Sequence, residues 1–241
     1  MAKRKNIDFN ADPPRKIADI PFYGYILDDD QLAFAEAIYN KDIDIVFCNS
    51  PAGCGKGLVS IGTANIMVQY GMYDSIYYIV SPYGERKQGY LPGTQSSKSI
   101  YYADPLFQAL ASIGVNPNTA VNTDGFAGAE YGGYINFMTD TFLRGTNINN
   151  AIIILDETEN YTIPQLQKTL TRVGNNVKVI VIGHTLQCDL EDPGKSGFDA
   201  FIDLFRGSER CAICELHTNH RGWISSKADT INEFLANKKK E

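Results

Sequence analysis

The sequence predicts an α/β protein built on a doubly wound, mostly parallel sheet, and three observations carry that prediction. Apolar, strand-like runs alternate with helical segments along most of the chain. The run Ala151-Ile152-Ile153-Ile154-Leu155 is aliphatic throughout, as suits a parallel strand covered on both faces. The glycine-rich segment Ser50-Pro51-Ala52-Gly53-Cys54-Gly55-Lys56-Gly57 lies between one such strand and the helix after it, where a phosphate-binding loop belongs. In sheets of this class, ligands gather at the carboxyl ends of the strands.

Taken in order, residues 1–20 read as a polar, proline-containing arm, residues 21–237 as one large domain, and residues 238–241 as a charged tail. Asp28, Asp29 and Asp30 offer an N-cap and an acidic first turn to a helix whose Leu32, Phe34, Ala35 and Ile38 face a core. Residues 43–48 have the composition of a buried strand, 58–70 read as a helix, and 75–80 as a second strand. A long loop with Pro82, Gly84, Gly89, Pro92 and Gly93 leads to a helix over 104–113 carrying Leu106, Leu110 and Ile113. Residues 114–133, rich in Gly, Asn and Thr, read as irregular, and a short strand follows over 134–138. A helix over 163–172 and a strand over 177–182 complete another unit. Alternation in Ala212, Ile213 and Leu216 marks a final core strand.

Composition narrows the function. The 241 residues, 44% of them hydrophobic, can bury a substantial core. A net charge of -6 argues against non-specific coating of nucleic acid, while leaving room for a local basic channel. Five cysteines at irregular spacing fit reduced thiols in a cytoplasm. Lys3, Arg4 and Lys5 are not followed by an apolar stretch, and no run is long enough to span a membrane, so neither a signal peptide nor a membrane partner is expected. Cys211 and Cys214 beside His217 and His220 superficially suggest zinc. Only two residues separate the two pairs, too few for an ordinary finger, and the strand reading is preferred.

The chemistry begins with the loop. Gly53 and Gly55 let backbone N–H groups turn inward on phosphate oxygens, Lys56 reaches the terminal phosphates, and the helix N-terminus adds partial positive charge. Pro51, Ala52 and Cys54 complete the binding segment. Ser50 stands where the motif has its first glycine, and Gly57 where a hydroxyl would ligate Mg²⁺. The second signal is the aliphatic strand that ends in Asp156-Glu157. Asp156 would hold Mg²⁺ through water and Glu157 would orient the attacking water. An acidic pair after a strand also caps helices, but the loop at 50–57 makes that reading the weaker one. In Gly183-His184-Thr185-Leu186-Gln187, the neutral amide of Gln187 is placed to sense a terminal phosphate. Arg86, Lys87 and Lys98 interleave with Tyr83, Tyr90, Tyr101 and Tyr102, which suits single-stranded RNA or DNA as well as it suits a solvated loop packed by tyrosines. Lys168 and Arg172, i and i+4 on one helix face, fit either reading.

In this order the segments resemble the PhoH-like family of P-loop ATPases, which is related to helicases and common in bacteria and their phages. The resemblance runs from about residue 21 to residue 223. It takes in Gln31, the loop 51–56, Gly89-Tyr90-Leu91-Pro92-Gly93, Leu143-Arg144-Gly145, Asn149-Asn150-Ala151, Asp156-Glu157, Leu170-Thr171-Arg172-Val173-Gly174, and Gly183 with Gln187 and Asp189. It implies a RecA-like core in which Gln31 contacts adenine, Lys56 binds phosphate, and Asp156 and Glu157 serve metal and water. It also implies a homo-oligomeric ring, commonly a hexamer, in a bacterial or infected-host cytoplasm. Asn219-His220-Arg221 is similar to the family's late motif, which makes Arg221 the candidate arginine finger on a neighbouring subunit's ATP; a surface arginine on a strand edge is the other reading. The chain departs from the pattern at Gly57, at Glu159 in place of the usual Gln, and at His184 in place of the usual Asp. Loss of a Mg²⁺ ligand and a negative charge from Glu159 near phosphates would weaken binding or turnover. Two readings follow. One is an ATP-hydrolysing ring, slowed by these changes and coupled to movement along, or unwinding of, RNA or DNA. The other is a nucleotide-regulated assembly or binding protein with little or no turnover.

Overall fold

In the computed structural model, which describes residues 7–81, 102–122, 132–139 and 147–238, the first helix starts where its acidic cap puts it. Asp28 accepts a hydrogen bond from Gln31 N at 2.8 Å, and Gln31 Oε1 accepts one from Asp28 N at 3.3 Å. This reciprocal capping box opens α1 (Asp29–Tyr39). Then come β1 (Ile45–Asn49), α2 (Lys56–Gln69), β2 (Ser75–Val80), α3 (Asp104–Ser112), α4 (Pro117–Ala120), β3 (Val121–Asn122), β4 (Ile135–Thr139) and β5 (Ala151–Asp156). The chain continues through α5 (Ile163–Leu170), β6 (Val177–Gly183), α6 (Phe198–Phe205), β7 (Cys211–Cys214), α7 (Trp223–Asp229) and α8 (Ile231–Lys238).

The strands form a seven-stranded sheet in the order β3-β4-β2-β5-β6-β1-β7, and every pairing is parallel. Parallel neighbours need crossover connections, and α2 supplies one by carrying the chain from β1 past β6 and β5 to β2. Side chains alternate between two cores, as a period of two requires. Val46, Ile152, Ile154 and Ile180 face one core with Phe34, Ile61 and Leu106, while Phe47, Ile153, Leu155 and Val181 face the other with Tyr161, Leu166 and Phe198. Both faces are therefore covered, and the open ground lies at the strands' carboxyl ends. The fold is the doubly wound, parallel α/β core that the alternation predicts.

Several local expectations change. The segment 7–20 is not simply a polar arm: Ile17 and Ile20 are buried, and Phe9 packs edge-on against Tyr70 with ring centroids 5.1 Å apart. Its apolar residues are scattered singly among polar ones, so they show no periodicity. Within the stretch expected to be irregular, Asn116 caps α4 through Asn118 N at 3.0 Å, with Pro117 at the first helical position, and β3 extends the sheet. Helix α5 stops at Leu170, so Arg172 sits in the turn beyond and does not share a helix face with Lys168. Lys238, expected in a tail, ends α8. Tyr83, Arg86, Lys87, Tyr90, Lys98 and Tyr101, like 89–93 and 143–145, lie outside the described residues. Among the described residues no helix is long and apolar enough to cross a membrane.

Candidate functional site

The phosphate-loop residues meet the ends of β5 and β6 around a cleft of about 560 Å³, walled on one side by α3. Gly53 and Gly55 adopt φ of +85° and +89°, a region L side chains rarely enter. Space enforces the choice as well. A Cβ at Gly55 would lie 2.6 Å from Gln31 Nε2, and one at Gly53 would lie 2.6 Å from Asn219 Oδ1. Gly55 is the N-cap of α2 and offers no side-chain cap to the first-turn N–H groups of that helix. Lys56 Nζ donates to Ser50 O and to Pro51 O, the latter at 2.9 Å, which holds the ammonium at the loop. Ser50, where the motif has glycine, is fully buried and works as an anchor: its Oγ accepts from Leu216 N at 2.6 Å and its N donates to Gly183 O at 3.0 Å.

Asp156 and Glu157 divide at the end of β5. Asp156 is buried and accepts from the Tyr78 hydroxyl of β2, and from Glu157 N at 2.9 Å. Burial, then the Glu157 charge, pushes the Asp156 carboxyl up to about 6. Burial also raises the Tyr78 phenol well above its ordinary value. Glu157 is exposed on the cleft and takes φ 51° and ψ 45°, a left-handed conformation that is costly for a side-chain-bearing residue. Glu159 is buried beside this pair. Burial and its contact with Glu157 push its carboxyl up, which works against the negative charge expected there beside phosphates.

Gln187 and His184 line the same cleft, in and just before the turn Thr185–Gln187 after β6. Asn49 at the end of β1 fastens this turn, donating to Thr185 Oγ1 at 2.8 Å and accepting from Thr185 N at 3.1 Å. Gln31 stands apart from the cleft: buried behind the loop, it donates to Cys54 O at 2.9 Å. In this position Gln31 braces the loop from behind. Arg221, expected to reach a neighbouring subunit, lies in the cleft of its own chain, where a Cβ at Gly53 would come 3.1 Å from Arg221 Cδ. The segment that carries it is clipped to the loop. His220 N donates to Gly53 O at 2.9 Å, Asn219 Nδ2 to Ala52 O at 3.2 Å, and Arg221 N to Asn219 Oδ1 at 2.8 Å. His217 and His220, the imagined zinc pair, instead face Asp30 and Asp28 at 2.9 Å each.

Residue types alone passed over Tyr78, Ser50 and Asn219. Tyr78 reads as a strand aromatic and Ser50 as a lapse from the motif; only cross-strand register and loop packing reveal their partners. The donor set suits a nucleoside triphosphate: free helix N–H groups and Lys56 for phosphate, Asp156 for a cation. Among the described residues, no three His, Cys, Asp or Glu side chains gather to hold a metal unaided, so Mg²⁺ here would share its shell with phosphate oxygens and water.

The sequence profile of the family described as PhoH-like protein matches residues 26–225. The PhoH-like protein of Mycobacterium leprae is 32% identical over 196 residues, covering 79% of this chain and 54% of the relative. Protein PhoH of Escherichia coli is 30% identical over 190 residues, covering 76% and 50%. The chain spans about half the length of the curated relatives it matches. Among solved structures, the Sulfolobus solfataricus SWI2/SNF2 ATPase core in complex with dsDNA is similar with a TM-score of 0.45 and 14% identity, over 72% of this chain and 36% of that one. The large terminase of a thermophilic bacteriophage in complex with ADP gives 0.45 and 12%, over 85% and 50%. The profile runs through the phosphate loop, the acidic end of β5 and the turn after β6, which the fold brings together at one edge of the sheet, and the chain belongs to the PhoH-like protein family.

Proposed function

We propose that the protein binds ATP with Mg²⁺ at the 50–57 loop and hydrolyses it. The observation that carries this reading is the convergence of Lys56, Asp156, Glu157, Gln187 and Arg221 on one cleft at the start of α2. The loop N–H groups and Lys56 bind and orient the phosphates, and Asp156 holds the cation. Mg²⁺, when bound, neutralises charge on the phosphate oxygens. Glu157, exposed at the cleft, accepts a proton from the attacking water, while Gln187 and Arg221 face the position of the terminal phosphate. ATP or ADP should raise the melting temperature by mass action, and Lys56→Ala should abolish the shift. An equal shift in both proteins would place the nucleotide elsewhere.

Assembly into a ring and coupling to single-stranded RNA or DNA extend the same proposal. They rest on family membership and on the basic, tyrosine-rich composition of residues 83–102. ATP turnover with and without each nucleic acid, on protein sized by light scattering, tests both. A second reading, nucleotide binding without appreciable turnover, draws on Gly57, which leaves Mg²⁺ one hydroxyl short. ATP binding intact with turnover below detection would select it.

A further inference from the structure

The ladder between β1 and β6 ends at the pair of Asn49 and Gly183, where Ser50 N still donates to Gly183 O at 3.0 Å. Beyond that point the two segments part, one into the phosphate loop and the other into the turn Thr185–Gln187. The Asn49 side chain spans the gap. Its Nδ2 donates to Thr185 Oγ1 at 2.8 Å, its Oδ1 accepts from Thr185 N at 3.1 Å, and Thr185 Oγ1 in turn donates to Asp199 Oδ1 of α6 at 2.6 Å. Gln187 N closes the turn by donating to His184 O at 2.9 Å, and Gln187 is exposed on the cleft.

These bonds have one consistent direction. A backbone N–H can only donate, so Asn49 turns its oxygen to Thr185 N and its NH₂ to the Thr185 hydroxyl, which leaves the hydroxyl proton for Asp199. A side-chain amide carries a donor and an acceptor side by side, and Asn49 uses both on a single residue of the turn that bears Gln187. On its other flank the turn is tied to the segment after β5: His184 N donates to Glu159 Oε2 at 3.1 Å, and Asp189 N to Asn160 Oδ1 at 2.7 Å. The turn is thus held between the segment that carries Glu157 and the residue that opens the phosphate loop. A group that is to contact a terminal phosphate has to be kept near its working geometry relative to the loop that grips the other phosphates.

We propose that Asn49 and Thr185 are positioning residues: their paired hydrogen bonds set Gln187 against the phosphate loop, and Asp199 fixes the direction of those bonds. The effect on turnover rests on the hydrolysis reading above; the restraint on the turn does not. Asn49→Leu keeps the shape and removes both donor and acceptor, Thr185→Val removes the hydroxyl, and Thr185→Ser retains it. We expect Asn49→Leu and Thr185→Val each to lose at least about fivefold in kcat with KM for ATP changed by less than about twofold, and Thr185→Ser to keep at least about half of wild-type kcat. Because the pair acts through Gln187, adding Asn49→Leu or Thr185→Val to Gln187→Ala should cost less than about twofold more. Wild-type kcat in both Asn49→Leu and Thr185→Val, or the same fold loss with and without Gln187, overturns the assignment. Should Asn49→Leu fail to fold, the two Thr185 variants carry the same comparison. Amide hydrogen exchange of nucleotide-free protein, followed by NMR, needs no turnover. The Thr185 and Gln187 amides should exchange at least about tenfold faster in Asn49→Leu, and the Gln187 amide likewise in Thr185→Val, with the β6 amides unchanged. Wild-type exchange at these amides would also overturn it. Should wild type bind ATP without hydrolysing it, the hydrolysis reading falls, and the exchange comparison still decides whether Asn49 and Thr185 hold the turn.

Discussion

Gly53, Gly55 and Gly57 stand close together in the loop and answer to different constraints. The first two hold positive φ and leave no room for a Cβ, whereas a Cβ at Gly57 meets nothing within 4 Å, and Gly57 lies in the first turn of α2. A threonine fits there. It would place a hydroxyl where a cation beside Asp156 lacks one, and would remove a helical glycine that costs up to about 1 kcal/mol relative to alanine. Gly57→Thr should raise the melting temperature and lower the Mg²⁺ concentration needed for half-maximal ATP binding, read from a Mg²⁺ titration of both proteins. Weaker binding in the variant would move the ion away from this position. Glu159 yields a prediction without nucleotide. Its carboxyl lies at about 9 in the fold against an ordinary 4.5, so the folded chain keeps a proton that the unfolded chain releases across that window. The stability tied to that proton is complete below about 4.5 and is lost as pH rises towards 9, with Asp156 acting in the same direction up to about 6. The titratable groups facing Glu159 are Glu157 on its own turn, Cys188 at its carbonyl, and His184 at the end of β6. Urea unfolding should show Glu159→Gln gaining on wild type as pH rises from about 5 to about 9. A constant difference would mean that Glu159 is ionised in the fold.

At the scale of elements, β6 contains a residue its strand pattern does not explain. Lys178 is 1% exposed in an otherwise aliphatic strand, and its Nζ donates to Asn40 O at 2.6 Å and to Ile43 O. The ammonium thus ties the turn between α1 and β1 to the sheet, and burial pushes its pKa down to about 8. Lys178→Met keeps the stem's packing but strands two carbonyls, and should cost about 1–3 kcal/mol in urea unfolding. An unchanged midpoint would show that water reaches those carbonyls. Lys178 also marks what a linear reading can and cannot see. Strands and helices were legible where pattern is dense, as in the aliphatic run of β5 or the Asp28 cap of α1. The phosphate loop was legible because its chemistry is local in sequence. Tyr78 on Asp156, Ser50 on Leu216, and Glu159 against His184 are meetings of distant segments, fixed by strand order and register, which residue types do not encode. The helices after β7 went unread because exposed Trp223, Ile224, Ile231 and Phe234 give them no buried stripe.

Across the whole molecule, strand order places β7 beside β1, so the chain leaving β7 passes directly over the phosphate loop. Leu216 docks on Ser50, His217 on Asp30, Asn219 on Ala52, and His220 on both Asp28 and Gly53. The start of α1, the loop and the segment before α7 are therefore one mechanical unit, and Arg221 sits at its rim facing the cleft of its own chain. An arginine delivered this way is coupled to the 50–57 loop, and under the proposed ATP binding it would reach the nucleotide of its own chain. Arg221→Ala should keep nearly the full ATP-induced thermal shift and lose most turnover, because it removes charge opposite the terminal phosphate and leaves the loop intact. Mixing it with Glu157→Gln protein separates the two geometries. If Arg221 serves its own chain, every subunit in the mixture lacks one necessary group and activity does not return, while wild-type turnover per chain is unchanged by dilution. Activity recovered in the mixture, and lost on dilution of wild type, would instead show the arginine of one subunit completing the site of the next.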